Sequence, residues 1–329
     1  MPESQPVIVP PARAALFLVV TVLPGREDTV RDLLEDVSGL RRSVGFRAPH
    51  DALSCVVGIG SAAWDRLFSG PRPRGLHPFV ALAGEHHRAP ATPGDLLFHV
   101  RARRMDLCFE LSRLIMERLG GAVTVVDEVH AFKYFDERDL LGFVDGSENP
   151  EGRLAQESVF VGDEDPDFAG GSYVIVQKYL HDMAAWNALP TEEQDRVIGR
   201  TKQANVELAD DVKPADSHVA LNIITDEDGN ERKIVRENMP FGSFADGAFG
   251  TYFIGYARTP DVTEEMLRHM FLGDGPATHD RILDFSTAIT GCLFHVPTAD
   301  FLDDLPEPPA GKAAVDGSLG IGSLKGVRS

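Results

Sequence analysis

The first long apolar run, Ala15-Leu16-Phe17-Leu18-Val19-Val20-Thr21-Val22, has no polar alternation. A run of that length and composition predicts a buried strand. Over 26–38 the period changes: Val30, Leu33, Leu34 and Val37 recur at helical spacing. Leu53 to Ile59 reads as a second strand, and Ser61 opens a short helix carrying Trp64 and Leu67. Leu96 to Arg101 is a third strand. Met105 to Leu119 is an amphipathic helix closed by Gly120-Gly121. Val123 to Val129 is a fourth strand. The order β-α-β-β-α-β is the ferredoxin-like arrangement.

The second half repeats the theme. Ser172 to Leu180 predicts a strand. Thr191 to Arg200 predicts a helix, opened by a capping box of Thr191 and Gln194. Strands are expected at about 218–224 and 232–238, joined by the polar turn Asp226-Glu227-Asp228-Gly229-Asn230. Thr251 to Tyr256 follows as a strand, then Val262 to Phe271 and His279 to Thr290 as helices. The expected class is therefore α+β, with two tandem ferredoxin-like domains at 15–135 and 136–302. A flexible N-terminus (1–14) precedes them. A proline-rich, acidic linker (303–318) and a tail (319–329) follow.

Composition narrows the function. The chain has 329 residues, 43% apolar and 25% charged, enough for a sizeable core. A net charge of −19 argues against nucleic acid and anionic membranes as partners. The three cysteines, Cys55, Cys108 and Cys292, form no C-x-x-C. Cys55 and Cys108 sit in apolar surroundings that predict buried free thiols, in keeping with a reducing cytoplasm. The N-terminus lacks the charged start of a secretory signal, and the apolar stretch from Ala14 is too short to span a bilayer.

Candidate chemistry concentrates at two places. Gly142-Phe143-Val144-Asp145-Gly146-Ser147-Glu148 sets an aspartate in a glycine-flanked loop, where backbone can approach a ligand closely. Further on come His218, then Arg236 and Asn238. On a strand, residues two apart share a face, so Arg236 and Asn238 would present a cation and an amide donor together. A metal hydrolase built on Asp145 is disfavoured, because no second carboxylate or His-rich metal spacing accompanies it.

Together these residues resemble the haem site of dye-decolourising peroxidases, in particular the bacterial B-type, over most of the chain from Ala15 to about Asp304. The resemblance implies the tandem ferredoxin-like fold of the dimeric α/β-barrel kind, with haem b bound in the C-terminal half. It also implies a homo-oligomer. His218 would be the axial ligand to the haem iron. Asp145 would move the peroxide proton, Arg236 would stabilise charge on the departing oxygen, and Asn238 would hydrogen-bond the peroxide or a water. Arg236 would also keep Asp145 ionised. Which of Asp145 and Arg236 dominates is left open. A carboxylate is expected to hold the other nitrogen of the axial histidine. Asp280 and Asp284 are both placed for this, and Asp280 is favoured. Arg200 is assigned to a haem propionate. Gly146 and Glu148 are assigned to the cofactor-binding loop. Phe253 and Phe271 are both candidates for the haem face, with Phe253 the one assigned, and core packing would equally explain either.

The tail Leu319-Gly320-Ile321-Gly322-Ser323-Leu324 is similar to the cargo-loading peptides of encapsulin nanocompartments. Its three spaced aliphatics suit shallow pockets on a shell protein, reached through 319–326. The expected function is a haem peroxidase that reduces hydrogen peroxide and oxidises bulky organic donors such as dyes or phenolics. Its expected place is the cytoplasm, inside an encapsulin compartment. The alternative is a haem-handling protein that stores haem or releases its iron without physiological turnover.

Overall fold

A computed structural model describes residues 2–310. The first half runs β1 (Ala14–Val22), α1 (Glu27–Gly45), β2 (Ser54–Gly60), α2 (Ser61–Leu67), a small hairpin of β3 (Leu82–Ala83) and β4 (Arg88–Ala89), β5 (Leu96–Ala102), α3 (Met105–Leu119) and β6 (Val123–Phe132). The second half opens with α4 (Gly152–Val159), β7 (Ser172–His181), α5 (Met183–Ala188), α6 (Thr191–Ile198) and the one-turn α7 (His218–Leu221). Short strands follow: β8 (Ile224–Thr225), β9 (Glu231–Arg232), β10 (Val235–Arg236) and β11 (Met239–Ser243). Then come β12 (Ala248–Ala257), α8 (Pro260–Leu272), β13 (Ser286–Ala288), β14 (Cys292–Val296) and α9 (Ala299–Asp303).

The main sheet is antiparallel throughout, in the order β10-β12-β7-β14-β2-β5-β1-β6. Numbered within each half, both sets of four strands have the order 4-1-3-2, so the tandem ferredoxin-like expectation holds. The halves join edge to edge where β14 meets β2, through Phe294 opposite Gly60 and His295 opposite Ile59. Backbones run close there. A Cβ on Gly58 would lie 2.8 Å from the Cβ of Phe294, and one on Gly60 would lie 2.4 Å from the Gly94 carbonyl. At the far end β11, carried by β12, comes back against β6 and curls the sheet into a barrel-like form.

This curl explains the unbroken apolar run of β1. Ala15, Phe17 and Val19 pack inward with residues of both halves, among them Val176, Tyr252 and Phe294. Leu16, Leu18 and Val20 pack outward with Leu33, Leu34, Leu111 and Ile115 of α1 and α3. Phe17 stacks on His99 and Tyr252, with ring centroids 4.6 and 4.1 Å apart. The three cysteines are buried and free, and burial pushes the Cys55 and Cys108 thiols up to about 12.

Five expectations need correction. The N-terminus is docked rather than loose: Gln5 is buried, donates to the carbonyls of Val57 and Pro297, and accepts from the Val57 N–H. Val7 is buried inside the barrel. Residues 218–224 are mostly not strand, because His218–Leu221 forms a helical turn. Residues 279–290 are not one helix: they hold a 3-10 turn at Arg281–Asp284 and then β13. The Thr191 capping box does not form. Pro190 occupies the cap, and the Gln194 amide donates instead to the Trp186 and Leu189 carbonyls. Lastly, the body continues past residue 303, since Ser69 holds the Glu307 carbonyl from both its N–H and its hydroxyl at 2.8 Å. The tail expectation at 319–329 lies outside the described residues. Among those described, no helix is long and apolar enough to cross a membrane.

Candidate active site

In the second half, a cleft of about 1090 Å³, counted to its open mouth, is walled by Leu141, Phe143, Ile198, Phe253, Met266 and Leu267. Such apolar walls with a few convergent polar groups are the usual form of a cofactor site. Nearly every residue singled out from the sequence lines it: Asp145, Gly146, Glu148, Arg200, His218, Arg236, Asn238 and Phe253. Phe271 does not, and is plain core. Asp280 is fully buried behind the wall.

His218 stands at the first position of α7. Its Nδ1 lies 2.7 Å from Asp280 Oδ2, and the Asp280 Oδ1 accepts from the Ile282 N–H at 3.0 Å. Asn222, one turn along, donates to the His218 carbonyl at 2.7 Å and reaches Asp280 Oδ2 at 3.4 Å. The carboxylate thereby fixes the proton on Nδ1 and leaves Nε2 as the lone-pair nitrogen. Asp284 is not the partner: it turns outward to His87 and His279.

The cleft contains a second imidazole, His181, but both its nitrogens are engaged, with Ser286 Oγ at 2.8 Å and Thr251 Oγ1 at 2.9 Å. Burial pushes it down to about 4. Among the described residues, no hydrogen bond engages His218 Nε2, which makes it the one imidazole nitrogen of the cleft open to a metal. One lone-pair nitrogen over apolar walls fits a flat, apolar, iron-bearing macrocycle such as haem.

Asp145 is held by its loop. Gly142 and Gly146 both take positive φ, +93° and +77°, a region that favours glycine. A Cβ at Gly142 would also meet Lys202 Cε at 2.3 Å. The Asp145 N–H donates to the Glu137 carbonyl at 3.0 Å. Its carboxylate accepts from Asn238 Nδ2 at 3.4 Å. Arg236, expected to keep Asp145 ionised, makes no ion pair with it within 4.0 Å among the described residues. Asn238 instead ties Asp145 to the sheet, because its Oδ1 accepts from the Ile254 N–H at 3.1 Å in place of a ladder carbonyl.

Arg236 and Asn238 do share a face, as alternation predicts. Glu237 between them points the other way, into an ion pair with the buried Arg101 of β5. Removing one partner of such a pair strands a buried charge, at a cost of about 3–5 kcal/mol. The pair therefore fixes which face Arg236 presents. The Arg236 backbone is gripped by a residue that sequence reasoning missed: Asn149 donates to its carbonyl at 2.7 Å and accepts from its N–H at 2.9 Å. The Arg236 guanidinium makes no ion pair among the described residues.

Arg200 and Glu148 face each other across the mouth at 2.7 Å, and Arg200 also grips Asn205. Asp139, a second carboxyl of the cleft, was likewise not foreseen. Burial pushes it up to about 7, with the Asp145 charge adding to the effect and the Phe143 N–H opposing it.

The family model described as Dyp-type peroxidase, C-terminal, matches residues 136–301, and its N-terminal counterpart matches 4–133. The chain belongs to the Dyp-type peroxidase family. A dye-decolorizing peroxidase of Mycolicibacterium paratuberculosis (strain ATCC BAA-968 / K-10) is 64% identical over 99% of this chain and 93% of its own length. The encapsulated DyP-type peroxidase from Mycobacterium smegmatis, solved by cryo-EM, superposes with a TM-score of 0.93 at 64% identity, covering 94% of this chain and all of that one. A haem-bound variant of DypB from Rhodococcus jostii RHA1 superposes at 0.89, with 59% identity over 92% of this chain and 98% of that one. The family expected from the loop around Asp145 and from His218, Arg236 and Asn238 is thus borne out, as is its fold.

Proposed function

We propose that this chain is a haem-dependent peroxidase that reduces hydrogen peroxide and oxidises bulky organic donors. The observation that carries the reading is His218: one imidazole, fixed by a buried carboxylate, with its other nitrogen free among the described residues, in an apolar cleft that also bears an arginine without an ion pair among them. Haem b, when bound, supplies the iron that exchanges electrons with peroxide and the donor. His218 would hold that iron, and Asp280 would make the imidazole a stronger donor by keeping its Nδ1 proton. Phe253 and the apolar wall would take the ring faces. Arg200 at the mouth would meet a propionate by sharing its Glu148 contact, and Gly146 lets the loop backbone approach.

At the other polar group, Asp145 would accept a peroxide proton at its carboxylate and return it to the departing oxygen. Arg236 would stabilise the charge that develops there, and its lack of a carboxylate partner leaves the full cation for that task. Asn238 would hold Asp145 in place while its amide faces the same oxygen. The haem-handling alternative is not favoured, because the relatives that match nearly the whole chain are named as peroxidases.

A second part of the proposal is packaging. The tail at 319–329 would dock a cytoplasmic encapsulin shell through 319–326, in keeping with the encapsulated relative. A homo-oligomer would present several tails and gain avidity. The proposed organisation is an N-terminal domain to about residue 135, a haem domain to about 302, an extension docked on the body through Glu307, then a tether. The test of the first part is the purified protein reconstituted with haem. Wild type should show a Soret band and peroxide-dependent dye oxidation, and His218→Ala should lose both. An unchanged band in His218→Ala would overturn the ligand assignment. For the second part, truncation after Ala310 should keep dye oxidation and lose co-purification with co-expressed shell protein. Retained encapsulation would show that the folded body carries the address.

A further inference from the structure

Outside the cleft, four imidazole- or carboxylate-bearing residues converge where the β3–β4 hairpin meets the segment before β13. His87 Nε2 lies 3.1 Å from Asp284 Oδ1, and His279 Nε2 lies 3.0 Å from the same oxygen. One ligand atom from each of the three falls within 4.8 Å of the other two. The His87 and His279 rings are 4.7 Å apart between centroids, and the His86 ring lies 5.1 Å from His279. The two ligating imidazoles are well shielded, with side chains 22% and 16% exposed, while Asp284 is 41% exposed. We propose that His87, His279 and Asp284 form a binding site for a divalent transition-metal ion of the zinc type, clamping the N-terminal half to the haem half.

The donor set supports this class. Two imidazoles and one carboxylate suit Zn²⁺ and its neighbours rather than Mg²⁺ or Ca²⁺, which prefer all-oxygen shells. A fourth position would remain for water or His86. Zinc needs each Nε2 without its proton, which moves the proton of each imidazole to Nδ1. His279 Nδ1 already lies 3.2 Å from Thr278 Oγ1, a hydroxyl able to accept it. The net charge of −19 raises the local concentration of cations.

The geometry is preformed rather than gathered by chance. The turn of the hairpin is closed by the Gly84 N–H donating to the His87 carbonyl at 3.0 Å. It sits so close to the end of α8 that a Cβ on Gly84 would lie 2.0 Å from the Phe271 carbonyl. His87 belongs to the first family domain, and His279 and Asp284 to the second. His279 immediately precedes Asp280, and Asp284 ends the 3-10 turn that Asp280 caps through the Ile282 N–H. A metal here would therefore brace the segment that holds His218.

The test uses the full-length protein, chelator-treated and dialysed, titrated with ZnCl₂ by calorimetry, with melting temperature followed in parallel. Wild type should bind one equivalent and melt at a higher temperature with zinc. His87→Ala and His279→Ala should each weaken binding by about 100-fold or more and abolish the melting shift. His50→Ala, remote from the cluster, should behave as wild type. The double variant His87→Ala/His279→Ala with unchanged zinc stoichiometry and affinity would overturn the site. So would a wild-type protein that binds no zinc at micromolar concentrations. Asp284→Asn separates the contributions: it keeps both imidazoles and should weaken binding without removing it. These readouts do not depend on haem or turnover, so their failure is distinguishable from failure of the peroxidase reading.

Discussion

Replacing Asp280 by Asn removes one negative charge 2.7 Å from His218 Nδ1 while keeping an oxygen that can still accept from the Ile282 N–H. Asp280 is fully buried, so no water shell screens the lost charge. A hydrogen bond to a charged group contributes about 1.5–3 kcal/mol, more than a neutral one. In the haem-loaded protein that interaction favours the oxidised iron, because an imidazole with anionic character donates more strongly. Converted at about 59 mV per tenfold for one electron, 1.5–3 kcal/mol corresponds to roughly 60–130 mV. Asp280→Asn should therefore raise the midpoint potential of the iron by that amount, measured by spectroelectrochemical titration of the Soret band. Asp280→Glu, which restores the charge at a different reach, should recover part of the shift. A midpoint within about 20 mV of wild type in a folded, haem-loaded Asp280→Asn protein would refute the argument. The His218–Asp280 contact would then serve orientation alone.

Arg236→Leu should retain haem and slow the reaction with peroxide by about 10²–10³-fold in stopped-flow absorbance, the usual loss for one charge-stabilising donor. Asp145→Asn should also retain haem, and whichever variant shows the larger loss identifies the dominant residue. Asn149→Ala frees both backbone bonds of Arg236 and should lower kcat/KM for peroxide in steady-state assays while leaving the Soret band unchanged, as expected of a positioning residue. Asp139 is raised from 3.8 to about 7, so the folded state holds its proton more tightly than the unfolded chain does. Its contribution to stability is then fully present below about pH 4 and is lost as pH rises towards 7. Asp139→Asn should flatten the fall of melting temperature across that window, and an unchanged pH profile would mean that the carboxyl is not perturbed.

Much of this architecture was legible because its elements repeat two clean periods. The strands at 15–22, 53–59, 96–101 and 172–180 and the helices at 105–119 and 262–271 carry strong patterns, and burial on both faces of β1 follows from its unbroken apolar run. What failed failed for local reasons. His218-Val219-Ala220-Leu221-Asn222-Ile223-Ile224 is β-branched and apolar enough to read as strand, yet Asn222 closes a helical turn on the His218 carbonyl. That turn carries His218, the proposed ligand to the iron. His279 to Thr290 has helical spacing, but after one 3-10 turn, which Asp280 caps at its start, the chain pairs with β7 through Ser286–Ala288 and continues as strand. In both segments a tertiary contact outweighs local preference.

The site shows the same division between what pattern reveals and what only packing reveals. Arg236 and Asn238 were placed together by the two-residue period alone. The expectation that Arg236 keeps Asp145 ionised came from chemistry rather than pattern, and the group that the fold sets against the Asp145 carboxylate is the Asn238 amide. This changes how the cleft would work. Asn238 holds Asp145 without neutralising it, and Arg236 is held through its backbone by Asn149, so its charge is not spent on a neighbour. Glu237, facing the barrel, consumes the buried Arg101 instead. The segment from Val235 to Met239 thus sorts alternate charges to opposite faces, Glu237 towards the buried Arg101 and Arg236 towards the cleft. A single-residue slip would send Arg236 inward and strand Arg101, costing about 3–5 kcal/mol for the broken pair alone. The fold therefore enforces the register on which the proposed chemistry depends.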